Sequence, residues 1–555
     1  MNYHVIHDNQ DEDLITRLLK VRWIDDNIDS FLNPTFAGYR NNPFLLNDME
    51  KSVERIILAM KNKEKIMIFW DYDVDGITSS YSLYQCFKKF LNYTNVSIQY
   101  PDRIQDWYGI KTHHIDQIKK KWVHIIITVD NGISSVKEAE YAQKEGIDLI
   151  ITDHHHPGTE IPKAFAVINP LVSPNYPFKW LAGVWVTFKL ICALAERSTL
   201  TTEIKKKIFN YFLPVVAIGT VADVVPLINE NRVIVKKWLD LINKNHEHIP
   251  SSLKWFLKYL NIKKNVDTFH IGFVIGPRIN AGGRIESPYD SLNILLHSGE
   301  KQIEYLDKIE WINTERRKMQ EEAFKKAESM VILDDKMIIA ADKDFHEGIV
   351  GIVAGRLAEK YTKPAAVFKI DEIKKTAVAS LRWPAYFNII EMISHSADIL
   401  ERFWGHKCAW WLAVKEENLP ILIERFKAYC KENIKEENMI KIIKVDTKLY
   451  AHEWNHETLQ HIEKLAPFGE GNTEPVFSIE NISIQKIEKV GNNGKSHLKI
   501  HGKIGDQIIT SMFRGKWGDS DDLLDVKYQE WVSLIGKVKR DTYNWWYFLD
   551  IMAIQ

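Results

Sequence analysis

Three short apolar runs that each end in carboxylates constrain this chain more than anything else in it. Residues 66–70 (IMIFW) run into Asp71-Tyr72-Asp73-Val74-Asp75-Gly76. Residues 123–129 run into Asp130-Asn131-Gly132, and residues 147–152 into Asp153-His154-His155-His156-Pro157. Runs this short, bounded by polar turns, suit strands buried in a parallel sheet. Between the second and third, Ser135 and Glu138 stand at capping-box spacing, and Gly146 stands where a glycine ends a helix. Strand, helix, strand, helix predicts a doubly wound α/β layer. In such a sheet the carboxyl ends of the strands line one crevice, so residues distant in sequence meet there. A fourth acid, Asp223, follows the apolar stretch 219–222.

One aspartate at a strand end is usually a cap or a turn residue. Several in one crevice repel each other unless they are protonated or held by positive charge. Divalent cations supply that charge. Oxygen ligands suit Mg²⁺ or Mn²⁺, and an added histidine shifts the preference toward Mn²⁺. Two such ions, about 3.5–4 Å apart, serve phosphoryl transfer by activating water and stabilising the leaving oxygen. A bridging carboxylate is the usual way to hold ions that close.

With 555 residues the chain is too long for one core, and three or four domains are expected. A net charge of -1 excludes a global basic field, so any nucleic-acid groove must be local. The 4 cysteines form no CxxC pair, which argues against a thiolate zinc site and a disulfide framework. No apolar run is long enough to span a membrane, and the first residues are polar and acidic, unlike a signal peptide. A cytoplasmic location is the expectation.

Residues 1–50 read as an N-terminal extension packed on the domain that follows. Residues 301–330 contain no Gly or Pro and predict one long charged helix that bridges domains, its charged face solvated. A second α/β segment follows, with a strand at 337–341 and a helix at 349–361. From about residue 440, alternating runs at 476–484, 497–500, 508–513, 531–538 and 545–552 predict a small β-barrel. Trp517, Trp531, Trp545 and Trp546 either fill this barrel or face out of it, and alternation sends one of the last two inward and the other outward.

The segments 71–79 (DYDVDGITS), 129–132 (VDNG), 153–155 (DHH) and 219–223 (GTVAD) resemble the four ordered motifs of the DHH phosphoesterase superfamily. The DYDxDG form is similar to the RecJ branch rather than to pyrophosphatases or oligoribonucleases. Also RecJ-like are Pro101-Asp102-Arg103 with Tyr108-Gly109, 277–286 (PRINAGGRIE) and 313–317 (NTERR). So are 346–357 (HEGIVGIVAGRL), Gly405-His406-Lys407 and 467–477 (PFGEGNTEPVF). The resemblance runs from about residue 66 to the C-terminus. It implies an α/β fold with two α/β domains joined by a long helix, plus a C-terminal OB-fold barrel. The implied division is 1–50 extension, 51–300 DHH phosphoesterase domain with a parallel sheet, 301–330 connecting helix, 331–436 DHH-associated domain and 437–555 OB domain.

The resemblance also implies roles. Asp73 and Asp130, with Asp71, hold one ion. Asp75, Asp130, His154 and Asp223 hold the other, and Asp130 bridges them. His155 lies beside the scissile phosphate. Ser380 and Arg382 match a Ser-x-Arg motif that binds the nucleic-acid end, with Arg278, Arg103 and His406 as further substrate ligands. Arginine suits this task because its planar fork binds phosphate bidentately. The implied activity is 5′-to-3′ degradation of single-stranded DNA to mononucleotides in DNA repair and recombination, with two Mn²⁺ or Mg²⁺ ions. A passage between the α/β domains would admit one strand and exclude a duplex. The implied state is a monomer away from membranes, with single-stranded DNA, a helicase and a single-strand-binding protein as partners. Two other readings are a DHH hydrolase of short oligonucleotides or cyclic dinucleotides, and a non-catalytic RecJ-like replication scaffold. The barrel and the DYDVDG form count against the first, and the full set of acids counts against the second. The chain departs from the family in one place. Where Gly-Gly-His and Ala-Ala-Gly are usual, Trp404 precedes Gly405-His406 and Trp410-Trp411 follow Ala409. These indoles are expected to reshape end recognition or to cover the nucleotide site.

Overall fold

Buried parallel strands need helices on both faces, and this chain supplies them in alternation. The computed structural model describes residues 2–26, 28–36, 41–101, 109–244, 249–262, 266–406, 409–491, 497–514, 531–541 and 546–555, the side chains of Asn2, Trp404 and His406 excepted. It divides into two units, one of residues 40–225 and 237–440, the other of residues 1–39, 226–236 and 441–555.

In the first unit, β1 (Ile66–Trp70), β2 (Val96–Gln99), β3 (Ile125–Val129), β4 (Asp148–Thr152) and β5 (Ala166–Ile168) form a parallel sheet in the order β2-β1-β3-β4-β5. β1 and β3 are buried along their whole length, which accounts for their unbroken apolar runs. Helix α1 (Val74–Gln85) follows β1, and α2 (Val136–Lys144) follows β3. Ser135 is the N-cap residue of α2, although its side chain makes no cap bond. Gly146 takes φ +73° just past the end of that helix. The register of the sheet is flush: Trp70 pairs with Val129, Val129 with Thr152, and Thr152 with Ile168. Asp71, Asp130, Asp153 and Asn169 therefore leave the sheet along one edge. The strand order reverses between β1 and β3, and open α/β sheets bind ligands at that point.

Three further helices frame this edge: α3 (Gly183–Arg197), α4 (Thr202–Ala222) and α5 (Gly276–Ile285). The predicted long helix is α6 (Glu300–Glu328), 29 residues or about 43 Å at 1.5 Å per residue. Leu306, Ile309, Asn313, Arg316 and Phe324 on it are buried, so one face of this charged helix packs into the protein instead of standing solvated all round.

The second sheet holds β6 (Ile338–Asp342), β7 (Ala365–Asp371), β8 (Thr376–Arg382), β9 (Leu400–His406) and β10 (Ala409–Lys415), in the order β9-β10-β8-β7-β6. Only β6 and β7 run parallel. Helix α7 (Glu347–Tyr361) covers one face, where Val350, Val353 and Ala354 pack with Ile338 and Val367. The other face buries Phe368, Leu381, Leu412 and Phe426.

In the second unit, β11 (Phe477–Val490), β12 (His497–Ile504), β13 (Gln507–Phe513), β14 (Trp531–Arg540) and β15 (Tyr547–Ile554) close a barrel, because β14 pairs back onto β11. Phe477, Ile479, Ile500, Leu534 and Leu549 fill it. Trp531 and Trp546 are 70% and 75% exposed, so neither belongs to the filling. Trp517 and Trp545 lie outside the described residues.

The N-terminal segment corrects the sequence reading. Its strand Asn2–Val5 pairs in parallel with Ile442–Val445. Leu14, Leu18 and Leu19 join the barrel core, and the fully buried Arg17 donates to both oxygens of Glu453 at 2.8 and 2.7 Å. Residues 1–39 thus fall in one unit with residues 226–236 and 441–555 and pair with partners more than 400 residues downstream. A short strand needs an edge and an apolar helix face needs a core, and nothing local says which edge or which core. Among the described residues, no helix is long and apolar enough to cross a membrane.

Candidate metal centre

Each strand-end motif folds tightly onto itself and then onto its neighbours. Asp73 caps α1, its Oδ1 accepting from the amides of Asp75 at 2.9 Å and Gly76 at 3.1 Å. Asp75, in the first turn of that helix, is fully buried. Its two oxygens accept from the amides of Gly183 at 2.6 Å and Val184 at 2.8 Å, at the start of α3. A helix N-terminus is a good counter-charge for a buried carboxylate. A side chain at Gly183 would collide with Asp130 Oδ1, so only glycine lets α3 approach this closely. Asp130 holds left-handed backbone, φ +61°, a conformation Asp tolerates better than most residues. That turn is fixed by Asp130 N donating to Thr152 O at 2.9 Å and by Asn131 Nδ2 donating to Val129 O at 2.9 Å and Phe69 O at 3.3 Å.

Asp223 arrives differently. It was expected as another acid beyond an apolar stretch, but it stands at the C-terminal end of α4, not at a strand tip. A carboxylate there faces the negative end of the helix dipole, which is unfavourable without a cation.

The outcome is dense. The ligand atoms of Asp71, Asp73 and Asp130 lie within 4.8 Å of one another, as do those of Asp75, His154 and Asp223, and those of Asp130, His154 and His155. His154 Nε2 is 3.2 Å from Asp130 Oδ1, 3.6 Å from Asp223 Oδ2 and 3.8 Å from Asp75 Oδ2. The buried Oδ2 of Asp223 accepts no hydrogen bond. Five aspartates and two histidines in three overlapping triads, joined through Asp130 and His154, fit a pair of divalent cations of the Mn²⁺ or Mg²⁺ kind.

The electrostatics agree. Burial and the charge of Asp73 push the Asp75 carboxyl up to about 7 against the pull of the α3 amides. Burial and the surrounding aspartates raise Asp130 and Asp223 well above the usual carboxylate range. Asp153 goes the other way. Burial raises it, but the charge and hydrogen bond of His155, with the charge of His154, outweigh that and bring it down to about 2. Burial lowers His155, yet Asp153 overrides it and raises the imidazole to about 9.

Sequence reading assigned Asp153 no role of its own. The structure makes it the organiser of the loop: Oδ1 accepts from His155 Nδ1 at 2.7 Å and from the His154 and His155 amides, and Oδ2 accepts from Ile133 N at 2.9 Å. Asn280, inside PRINAGGRIE, was also missed. Its Oδ1 accepts from Val74 N at 3.1 Å and so steadies the first acidic loop. The motif had signalled its importance without saying what it does.

The proposed substrate ligands are more scattered. Ser380 and Arg382 meet on β8, Arg382 Nη1 donating to Ser380 Oγ at 2.8 Å. A Cβ on Gly351 of α7 would stand 3.1 Å from both side chains and 3.5 Å from the Trp411 ring, so the missing side chain leaves a niche where the three converge. Trp411 pairs with Ser380 across the strands and packs on the α7 face, while Trp410 packs on the opposite face. Arg278 is not brought to the acidic cluster: its guanidinium donates to both oxygens of Glu310, at 2.6 and 3.0 Å. His406 ends β9, with its side chain outside the description, and Arg103 lies outside the described residues.

Three family profiles match the chain: the DHH family N-terminal domain over residues 65–220, the DHHA1 domain over 334–432 and the RecJ OB domain over 445–552. The single-stranded-DNA-specific exonuclease RecJ of Bacillus subtilis is 35% identical over 88% of this chain, which spans 61% of that relative's length. The protein of the same name from Haemophilus influenzae is 31% identical over 88% of this chain and 86% of its own length. The crystal structure of RecJ from Thermus thermophilus in complex with Mn²⁺ superposes with a TM-score of 0.82 over 100% of this chain and 79% of that one, a likeness of fold at 22% identity. Matched by profiles in three regions and by relatives more than 30% identical along most of its length, the chain belongs to the RecJ family.

Proposed function

We propose that the chain is a metal-dependent exonuclease that degrades single-stranded DNA from its 5′ end and releases mononucleotides. The observation that carries this reading is Asp130, which belongs to two ligand triads at once. Asp71, Asp73 and Asp130 would hold one divalent ion, and Asp75, Asp130, His154 and Asp223 the other. Crystal structures of the Thermus relative are complexes with Mn²⁺ and with Mg²⁺, which supports this choice of ions. When bound, two such ions supply Lewis-acid activation of water and neutralise charge on a phosphodiester.

The chain's own residues do the rest. His155, held by Asp153, keeps its proton at neutral pH and donates to a non-bridging oxygen of the scissile phosphate. Ser380 and Arg382 receive the strand end, aided by His406 and Arg103. Arg278 joins them by exchanging the Glu310 carboxylate for a phosphate. The matched profile ranges fall inside the divisions 51–300, 331–436 and 437–555 and support a DHH domain, a DHH-associated domain and an OB domain, with 301–330 as connector. Trp531 and Trp546, exposed on the barrel, suit stacking on unpaired bases. Such an enzyme works as a monomer in the cytoplasm, on strands exposed by a helicase and coated by a single-strand-binding protein, in DNA repair and recombination.

The test is digestion of a long 5′-labelled single strand, with and without a terminal phosphate, beside a duplex and a dinucleotide, in Mn²⁺, Mg²⁺ or EDTA. Immediate release of labelled mononucleotide from the single strand, abolished by EDTA, is expected. Hydrolysis of the dinucleotide alone would overturn the reading.

A further inference from the structure

We propose that His156 and Trp180 form a nucleobase-stacking subsite at the rim of the metal centre, so that the centre selects an unpaired base as well as a phosphodiester. This rests on the nuclease reading above and deepens it. Neither residue belongs to the ligand triads. Both are nevertheless tied to the site through the chain. His156 directly follows His155. Trp180 stands three residues before Gly183, whose amide binds Asp75 at 2.6 Å, a stretch that spans no more than about 11 Å.

Leu181 and Ala182, between them, are buried at 1% and 0%, so the segment is anchored and not a loose loop. Trp180 is 50% exposed. The rings of His156 and Trp180 meet edge to face, centroids 6.4 Å apart at 60°. That contact orients the indole while half of its surface remains in water.

A large anchored aromatic left in water beside a phosphate site is what a base can use. Every base offers a π-face, so stacking there is tolerant of sequence. Within a duplex, both faces of an internal base are covered by its neighbours, and the subsite would accept such a base only after it has left the stack. It therefore adds discrimination against duplex at every nucleotide behind the terminal one, independent of any steric passage.

The test is a cross of variants and substrates using the full chain with Mn²⁺. The variants are Trp180→Ala and Trp180→Leu, the latter apolar but without an extended π-face. The substrates are a phosphorylated oligo-dT strand and copies carrying one abasic nucleotide at each of the first positions from the 5′ end. Both variants should retain the Mn²⁺-induced rise in Tm and lose about 10- to 100-fold in kcat/KM on the intact strand. At one abasic position the wild type should fall to the same level, and the variants should lose nothing more. Unchanged kcat/KM in both variants would overturn the subsite. So would an equal loss on the intact strand and on every abasic strand, since that marks a purely structural role. A wild type inert on all strands would bring down the nuclease reading itself, a result recognisable before any variant is made.

Discussion

The two sheets of the first unit build their sites in opposite ways. In the parallel sheet, each group follows its strand directly, and flush pairing of Trp70, Val129 and Thr152 delivers Asp71, Asp130 and Asp153 to one edge. In the mixed sheet, Ser380 and Arg382 lie within a strand, and their surroundings come from elsewhere: Trp411 from across the ladder and Gly351 from a helix. A site made at strand tips stands or falls with a few contiguous residues. A site made across strands can be reshaped one neighbour at a time. The departures from the RecJ pattern, Trp404, Trp410 and Trp411, all fall in the mixed sheet, whereas the acids of the parallel sheet are all in place.

The contrast is breakable by experiment. The largest effect should come from Asp130→Ala, which removes the group common to two triads. Nucleotide release should fall at least about 10³-fold while the circular dichroism spectrum is kept. Activity within tenfold of wild type would deny the bridge. Next, Asp153→Asn keeps the shape but removes the charge that raises His155. A loss of roughly 10²-fold in kcat is expected, and an NMR titration should show the His155 pKa falling from about 9 toward its ordinary value.

Metal binding should also be linked to pH. In the metal-free protein, burial and Asp73 raise Asp75 from 3.8 to about 7. The folded form then binds more protons than the unfolded chain, so this group's stabilisation is complete below about pH 4 and is lost as pH climbs through 7. Cations compete with those protons. At a concentration near 100 Kd, Mn²⁺ should stabilise the fold by about 2.7 kcal/mol above pH 7, and much less at pH 5 at the same concentration. A Tm increment that does not depend on pH would contradict the raised carboxyls. The smallest effect belongs to the mixed sheet: Arg382→Ala should raise KM roughly tenfold for a 5′-phosphorylated strand and leave kcat nearly unchanged. If kcat collapsed instead, the two sheets would not divide chemistry from end binding.

Much of this was legible in order along the chain. The apolar runs before Asp71, Asp130 and Asp153 announced buried parallel strands, and the spacing of their acids announced a shared crevice. Alternating runs after residue 440 announced the barrel. Other features carried no local mark. Asp223 looks like any acid after an apolar stretch, and its helix became visible only with the fold. Asp153 lies within a motif, yet its task of holding His155 depends on where two carboxylate oxygens point.

The chain order of its motifs was sufficient to dictate the α/β layer, the acidic edge and the kind of ion that edge requires, because strand periodicity and charge repulsion act over a few residues. Folding in three dimensions had to settle where residues 1–39 pack, that Glu310 occupies Arg278, and that Trp180 stays half exposed three residues before the glycine whose amide holds Asp75. Those outcomes depend on competition among partners hundreds of residues apart, and packing decides that competition.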